Sequence, residues 1–246
     1  MAPRPRIPVH LLTQSALVER DFDLLAAISA ESPAVLCSRI ALTDERHREG
    51  FEPGAAPLAE RWRLLVVARG LGIRTGVMVM PLLPALSDSS ASVAALVAWA
   101  AATGVDFMCC GGLTLRPGVR RDGLLAGLER HFSDLVRGYH KLFAAGGDAG
   151  AGDPRYLAPL DQRCRAAPAE GRMPGRVPQA IFRGLVPTHT EPAVLIEHRG
   201  FERGEPGGGR GAPAQAGGRC PSGPGAAWPT NAASTRSGRW KPSWTS

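Results

Sequence analysis

Two short stretches hold the residue types best placed to meet a ligand. Gly111-Gly112 ends an apolar run, with Thr114 and Arg116 just beyond it. Consecutive glycines let a ligand approach the backbone closely, and a guanidinium holds an anion through a planar fork of donors. The same residues also suit a tight turn followed by a solvated arginine, and their pattern is neither the Rossmann nor the P-loop phosphate signature. The second stretch is Thr13-Gln14-Ser15, two hydroxyls and an amide after another apolar run. At a strand end these groups are placed to read polar ligands, and Ser15 is equally placed to cap the helix that follows.

The thiols and imidazoles point to less. Five cysteines (Cys37, Cys109, Cys110, Cys164, Cys220) are scattered, and none of their spacings matches a zinc or iron–sulfur site. Cys109 and Cys110 are adjacent on a strand, so they point to opposite faces and read as small core residues rather than a two-ligand clamp. The six histidines contain no His-x-x-x-His or His-Glu-x-x-His pair. They read as surface or satisfied side chains. No catalytic residue and no metal ligand is therefore assigned.

Alternating strands and helices must position these stretches. Strands are expected over 7–12, 34–42, 77–80 and 105–110, and helices over 16–29, 58–69, 90–103 and 122–143, with a short helical turn at 44–49. The third strand is expected to stop at Pro81 and Pro84, because proline donates no N–H and restricts the residue before it. Ser87–Ser90 supply capping oxygens for the next helix. The fold class is α/β, with about four parallel strands joined by right-handed crossovers over residues 7–143. Four strands make about half of a (β/α) barrel or a small open sheet, and they cannot close a barrel.

Residues 144–170 are rich in Gly and Ala and read as a loop or linker. Ile181–Val186 and Ala193–Ile196 are expected to pack back on the main domain, so 144–202 forms a linker and extension. From Arg203 onward there is no Leu, Ile, Val or Phe, and a segment of that kind is expected to be disordered. Trp228, Trp240 and Trp244 in a Gly/Ala/Pro/Arg/Ser mixture are what a GC-rich gene read in a shifted frame would yield.

The formal charge is +7, of which residues 203–246 carry +5. The basicity thus belongs to the tail, which weakens a nucleic-acid reading of the domain. Met-Ala-Pro-Arg-Pro-Arg at the N-terminus lacks the apolar core of a signal peptide, and no run approaches the roughly 18 apolar residues of a membrane span. A reducing, cytoplasmic setting without membrane contact is expected.

Five ordered pieces resemble the later part of a radical S-adenosylmethionine protein, in the group related to spore photoproduct lyase and the DNA-repair photolyases. Thr13-Gln14-Ser15 with Val18-Glu-Arg-Asp-Phe-Asp-Leu-Leu25 is similar to the family's Thr-Lys-Ser and Arg-Asp-x-Asp-Leu-Leu segment. Asp44-Glu45, Phe51-Glu-Pro-Gly-Ala55 and Glu60-Arg61 resemble its Leu-Glu-Pro turn and Glu-Arg helix entry. Gly76-Val-Met-Val-Met-Pro-Leu-Leu-Pro84 with Asp88 resembles its sixth strand and Pro-x-x-Pro turn. Gly111–Gly118 with Glu129-Arg-His-Phe132 is similar to the C-terminal continuation, and Arg176-Val-Pro with Ile181–Pro187 extends the likeness.

The resemblance implies a partial (β/α) barrel in which a Cys-x-x-x-Cys-x-x-Cys loop holds a four-iron four-sulfur cluster. The cluster cleaves S-adenosylmethionine to a deoxyadenosyl radical, as in a radical lyase or repair-type enzyme. It implies cofactor contact at Thr13, Gln14 and Ser15 and substrate contact at Gly111, Gly112, Thr114 and Arg116. The cysteine loop is absent from these 246 residues. Gln14 stands where the family has lysine, and Arg39 where relatives carry a small hydroxyl residue. The chain by itself is therefore expected to bind neither cluster nor cofactor. Nucleic acid enters as a partner only by family analogy. The alternative expectation is a non-catalytic half-barrel that self-associates, or pairs with a partner, through its open sheet edge.

Overall fold

A computed structural model of the protein describes residues 7–178 and Ile181. Four strands, β1 (Val9–Thr13), β2 (Ala34–Arg39), β3 (Arg74–Leu82) and β4 (Phe107–Gly112), form one open parallel sheet in the order β1-β2-β3-β4. The helix α1 (Phe22–Glu31) joins β1 to β2. The pair α2 (Glu45–Phe51) and α3 (Leu58–Gly70) joins β2 to β3, and α4 (Ser90–Thr103) joins β3 to β4. After β4 come α5 (Val119–His131), α6 (Ser133–Leu142) and α7 (Pro154–Glu170). Among the described residues this is α/β architecture with seven α-helices, and no helix is long and apolar enough to cross a membrane.

Spatial order equal to chain order means every crossover steps the same way. Right-handed crossovers then put their helices on one face of the sheet. Residues in register share a face, so Thr13, Ser38, Val77 and Met108 lie together on the face that the helices cover. The opposite face carries Leu12, Cys37, Gly76 and Phe107 in one row and Arg39, Met78 and Cys109 in the next. Val35, Cys37 and Phe107 are buried there, with Val177 and Ile181 packed against them. The remaining residues of the expected C-terminal extension and tail lie outside the described residues.

Local chemistry explains the helix ends. Ser15 Oγ accepts from Leu17 N at 3.2 Å, although it opens a 3-10 turn (Ala16–Asp21) ahead of α1 rather than one continuous helix. Asp44 caps α2, Ser89 caps α4, and Gly104 ends α4 at φ 72°, the left-handed conformation that glycine adopts without a Cβ clash.

Three expectations are corrected. Pro81 does not end its strand: β3 runs to Leu82 with a cis Met80–Pro81 bond, and the ladder to β4 breaks only locally, between Val79 and Leu82. Proline supplies no ladder donor at that point, and the strand resumes beyond it. The single helix expected over 122–143 is two helices, because Phe132 leaves helical geometry at φ −147°, ψ 51°. Its ring stacks on Phe51 at 5.5 Å and meets His47 edge-on at 5.0 Å, so packing against α2 overrides helical continuity. The stretch 144–170, expected as loop or linker, contains the 17-residue α7. Asp153 caps it through Arg155 N, Pro154 occupies a first-turn position, and Leu160, Cys164 and Ala167 are buried at helical spacing.

Candidate functional site

In parallel α/β sheets, ligands are met beyond the carboxyl ends of the strands. Here that rim is built from Thr13-Gln14-Ser15, the end of β2 at Arg39, the loop from Pro81 to Asp88, and Gly111–Arg116.

The two hydroxyls at the end of β1 are engaged locally. Thr13 Oγ1 accepts from Ser15 N at 3.0 Å and Ser15 caps the following turn, while Ser38 Oγ donates to the Thr13 carbonyl at 3.3 Å. The Gln14 carbonyl accepts from Ala56 N at 2.9 Å, which ties the loop before α3 to this rim. The Gln14 amide nitrogen is buried and has no hydrogen-bond acceptor.

Next to it lies a charged cluster that sequence reasoning did not single out. Arg61, on α3, is fully buried, and it donates to the Ala56 carbonyl at 2.7 Å and the Arg39 carbonyl at 2.8 Å. Glu52 lies between two guanidiniums: Arg39 Nη2 donates to it at 2.8 Å, and Arg61 Nη2 stands 2.6 Å from its other oxygen. The second contact is an ion pair by distance, with angles outside hydrogen-bond geometry. Two arginines on one carboxylate leave an excess positive charge at the rim. Arg39 Nε is buried without an acceptor, as the Gln14 amide is. Unpaired buried donors beside excess guanidinium charge suit an anionic group such as a carboxylate. Glu52 and Arg61 fall in the Phe51–Ala55 and Glu60-Arg61 motifs, the signal by which they could have been found.

Gly111 and Gly112 separate to the two faces. Gly111 lies beside Met80, whose Cε is 3.6 Å from the position a Cβ would take. At Gly112 the close approach is made by α7, since a Cβ there would meet Leu160 Cδ2 at 3.0 Å. Beyond them Leu113 and Leu115 are buried, and Leu115 N donates to the Gly150 carbonyl at 2.6 Å, so Thr114 and Arg116 project as exposed residues. β1 and β4 are the sheet's outer strands. Thr13-Gln14-Ser15 and Gly111–Arg116 are thus three strand spacings apart, about 14 Å across the sheet.

The proline loop between them is rigidly held. Asp88, 3% exposed, accepts from Ala85 N at 2.8 Å and from the Tyr156 hydroxyl at 2.7 Å, and Arg163 donates to its carbonyl. Ser87 Oγ accepts from Leu83 N at 2.9 Å, and the Tyr139 hydroxyl donates to the Pro84 carbonyl at 2.9 Å. Burial pushes the Asp88 carboxyl above the usual range, against the pull of Tyr156 and the Ala85 amide.

Cys37 meets His10 Nε2 at 3.0 Å, but burial, with Cys109 nearby, pushes its thiol up to about 12. Among the described residues no group of three or more His, Cys, Asp and Glu is arranged to hold a metal ion. A cleft of about 710 Å³ opens at the opposite, amino edge of the sheet, between Glu31, Arg69, Arg74 and Asp106, away from the rim.

No protein-family model matches the chain. It is similar to uncharacterized protein Rv2578c of Mycobacterium tuberculosis (strain ATCC 25618 / H37Rv) and to uncharacterized protein Mb2609c of Mycobacterium bovis. Each is 30% identical over 168 residues, which covers 68% of this chain and 48% of the relative. The chain therefore spans about half the length of the curated relatives it matches. No solved structure matches it.

Proposed function

We propose that the chain corresponds to the later part of a (β/α) barrel of the radical S-adenosylmethionine type, in the group resembling spore photoproduct lyase. The observation that carries this reading is the singly wound sheet. Four parallel strands in chain order, with crossover helices on one face, are what a segment of barrel wall requires. A doubly wound domain would reverse strand order partway and cover both faces. The outer side of β1 supports the reading further. Leu12, Leu17 and Leu24 are 52%, 74% and 62% exposed on β1, the turn after it and α1, where a preceding β/α unit would pack.

The residues present do not fit the iron–sulfur cluster, since no cysteine triad of the required spacing occurs in the chain. No radical step is assigned to the chain as it stands. When bound in a whole protein of this type, S-adenosylmethionine supplies the deoxyadenosyl radical. Toward such a ligand this chain offers the excess guanidinium charge of Arg39 and Arg61, the Gln14 amide, and Gly111 beside Met80. The rim of Thr13, Gln14 and Ser15 is the proposed cofactor side, and Gly111, Gly112, Thr114 and Arg116 the proposed substrate side.

The alternative is a non-catalytic half-barrel that pairs with a second copy through β1. The exposed leucines along that edge favour it. Anaerobic incubation with iron, sulfide and reductant, followed by size exclusion with light scattering, separates the two readings. The fragment reading expects no cluster absorption and no deoxyadenosine. A stoichiometric cluster would overturn it, and a discrete, soluble dimer would favour the half-barrel.

A further inference from the structure

Cys110 and Cys164 face each other between the sheet and α7. Strand alternation sends Cys109 to the face opposite the crossover helices, beside Val177, and sends its neighbour Cys110 to the face that α7 covers. Two residues along that face from Cys110, a Cβ at Gly112 would touch Leu160 at 3.0 Å. Cys164 follows Leu160 by one helical turn, on the same buried side of α7. The two thiols are thereby set on facing sides of the β4–α7 interface, and both are free. The Cys110 thiol, helped by Arg163 and Arg165, holds Cys164 below the ordinary thiol range despite its burial, while Cys110 is pushed up. Pro168 lacks the N–H that would bond the Cys164 carbonyl, so the helix is one hydrogen bond short beside the thiol.

We propose that Cys110 and Cys164 form a dithiol that a hydroperoxide converts to an intramolecular disulfide, fastening α7 to β4. The Cys164 thiolate attacks one peroxide oxygen. The O–O bond breaks, a sulfenic acid forms, and the other oxygen leaves as water after taking a proton. The Cys110 sulfur then attacks the Cys164 sulfur, the S–O bond breaks, and the second oxygen leaves as water with the remaining proton. Two thiols and one hydrogen peroxide thus give one disulfide and two waters. Cys109 takes no part because it lies on the other side of the sheet. The disulfide depends on the packing of α7 against β4 and not on any radical chemistry.

The test is to treat the reduced full-length chain with hydrogen peroxide, block remaining thiols with an alkylating agent, and map the unreduced digest by mass spectrometry. Circular dichroism before digestion verifies that the chain is folded. The expected product is a cross-linked peptide pair two hydrogens lighter than its parts, reversed by dithiothreitol, with reactive thiols falling from the five present to three. The cross-link should persist in Cys109→Ser and disappear in Cys110→Ser and Cys164→Ser. A Cys109–Cys110 bond, a bond to Cys220 in place of the pair, sulfinic acid at Cys164 without a cross-link, or an unmodified pair in the folded chain would each overturn it.

Discussion

Phe107 lies directly over the bare Cα of Gly76, so closely that a methyl group there would stand 2.3 Å from Phe107 Cζ. The two are register partners on adjacent strands, and Phe107 is fully buried against Val35 and Cys37. Only glycine leaves room for the ring. Gly76→Ala should therefore displace Phe107 from the core of the face opposite the crossover helices and cost about 1–3 kcal/mol, the range for overpacking a filled core. Urea unfolding of the two proteins measures this. An unchanged midpoint would mean that the ring has another place to go.

Arg61 and Glu52 make a second pair whose disruption should be costly. Truncation of Arg61 to Ala removes both carbonyl contacts and leaves Glu52 with Arg39 alone, close to an emptied cavity. Breaking a buried pair from one side costs about 3–5 kcal/mol. Glu52→Gln should cost less than Arg61→Ala, because it keeps an acceptor for Arg39. A double-mutant cycle checks the coupling, and additive effects would show that the two act independently.

Asp88 should leave a pH signature. Burial raises its folded pKa, so the folded chain binds this proton more tightly than the unfolded one. The contribution is favourable in acid and is lost as pH rises from the ordinary carboxylate range through the raised folded value. Asp88→Asn keeps an acceptor for Ala85 N and removes the titration. The stability of the natural chain relative to this variant should therefore fall over that window and stay flat above it. A difference that rises with pH would give the shift the opposite sign.

Much of this was legible in the sequence because it is local. The caps at Ser15, Asp44 and Ser89 and the stop at Gly104 follow from side chains within a turn of the backbone they serve. The parallel α/β alternation follows from short apolar runs between amphipathic ones. The break at Phe132 was hidden because its cause, the ring of Phe51, lies 81 positions away in the chain. In α7, Pro159, Pro168 and many small residues resemble a linker, while the spacing of Leu160, Cys164 and Ala167 carried the helical signal. The Arg39–Glu52–Arg61 cluster needed the crossover that carries α3 back beside β2. No spacing rule joins those three residues.

Leu17 and Leu24 test the exposed side of β1. Both are largely solvent-exposed in the isolated chain, so replacing them with Lys should change its stability by no more than about 0.5 kcal/mol. If that side receives another β/α unit or another copy, the same changes should abolish self-association, read by light scattering over a concentration series. Association unaffected by both substitutions would place the contact elsewhere.

The most direct test of the central claim uses the full-length Mycobacterium tuberculosis relative, of which this chain matches 48%. The protein would be purified without oxygen, its iron and acid-labile sulfide counted, and S-adenosylmethionine added with a reductant. The barrel reading predicts a four-iron four-sulfur cluster and the release of deoxyadenosine. It also predicts loss of that release when the relative's residues aligned with Gln14 and Arg39 are replaced by alanine. A full-length relative that is folded yet holds no cluster, or holds one and leaves S-adenosylmethionine intact, would contradict it.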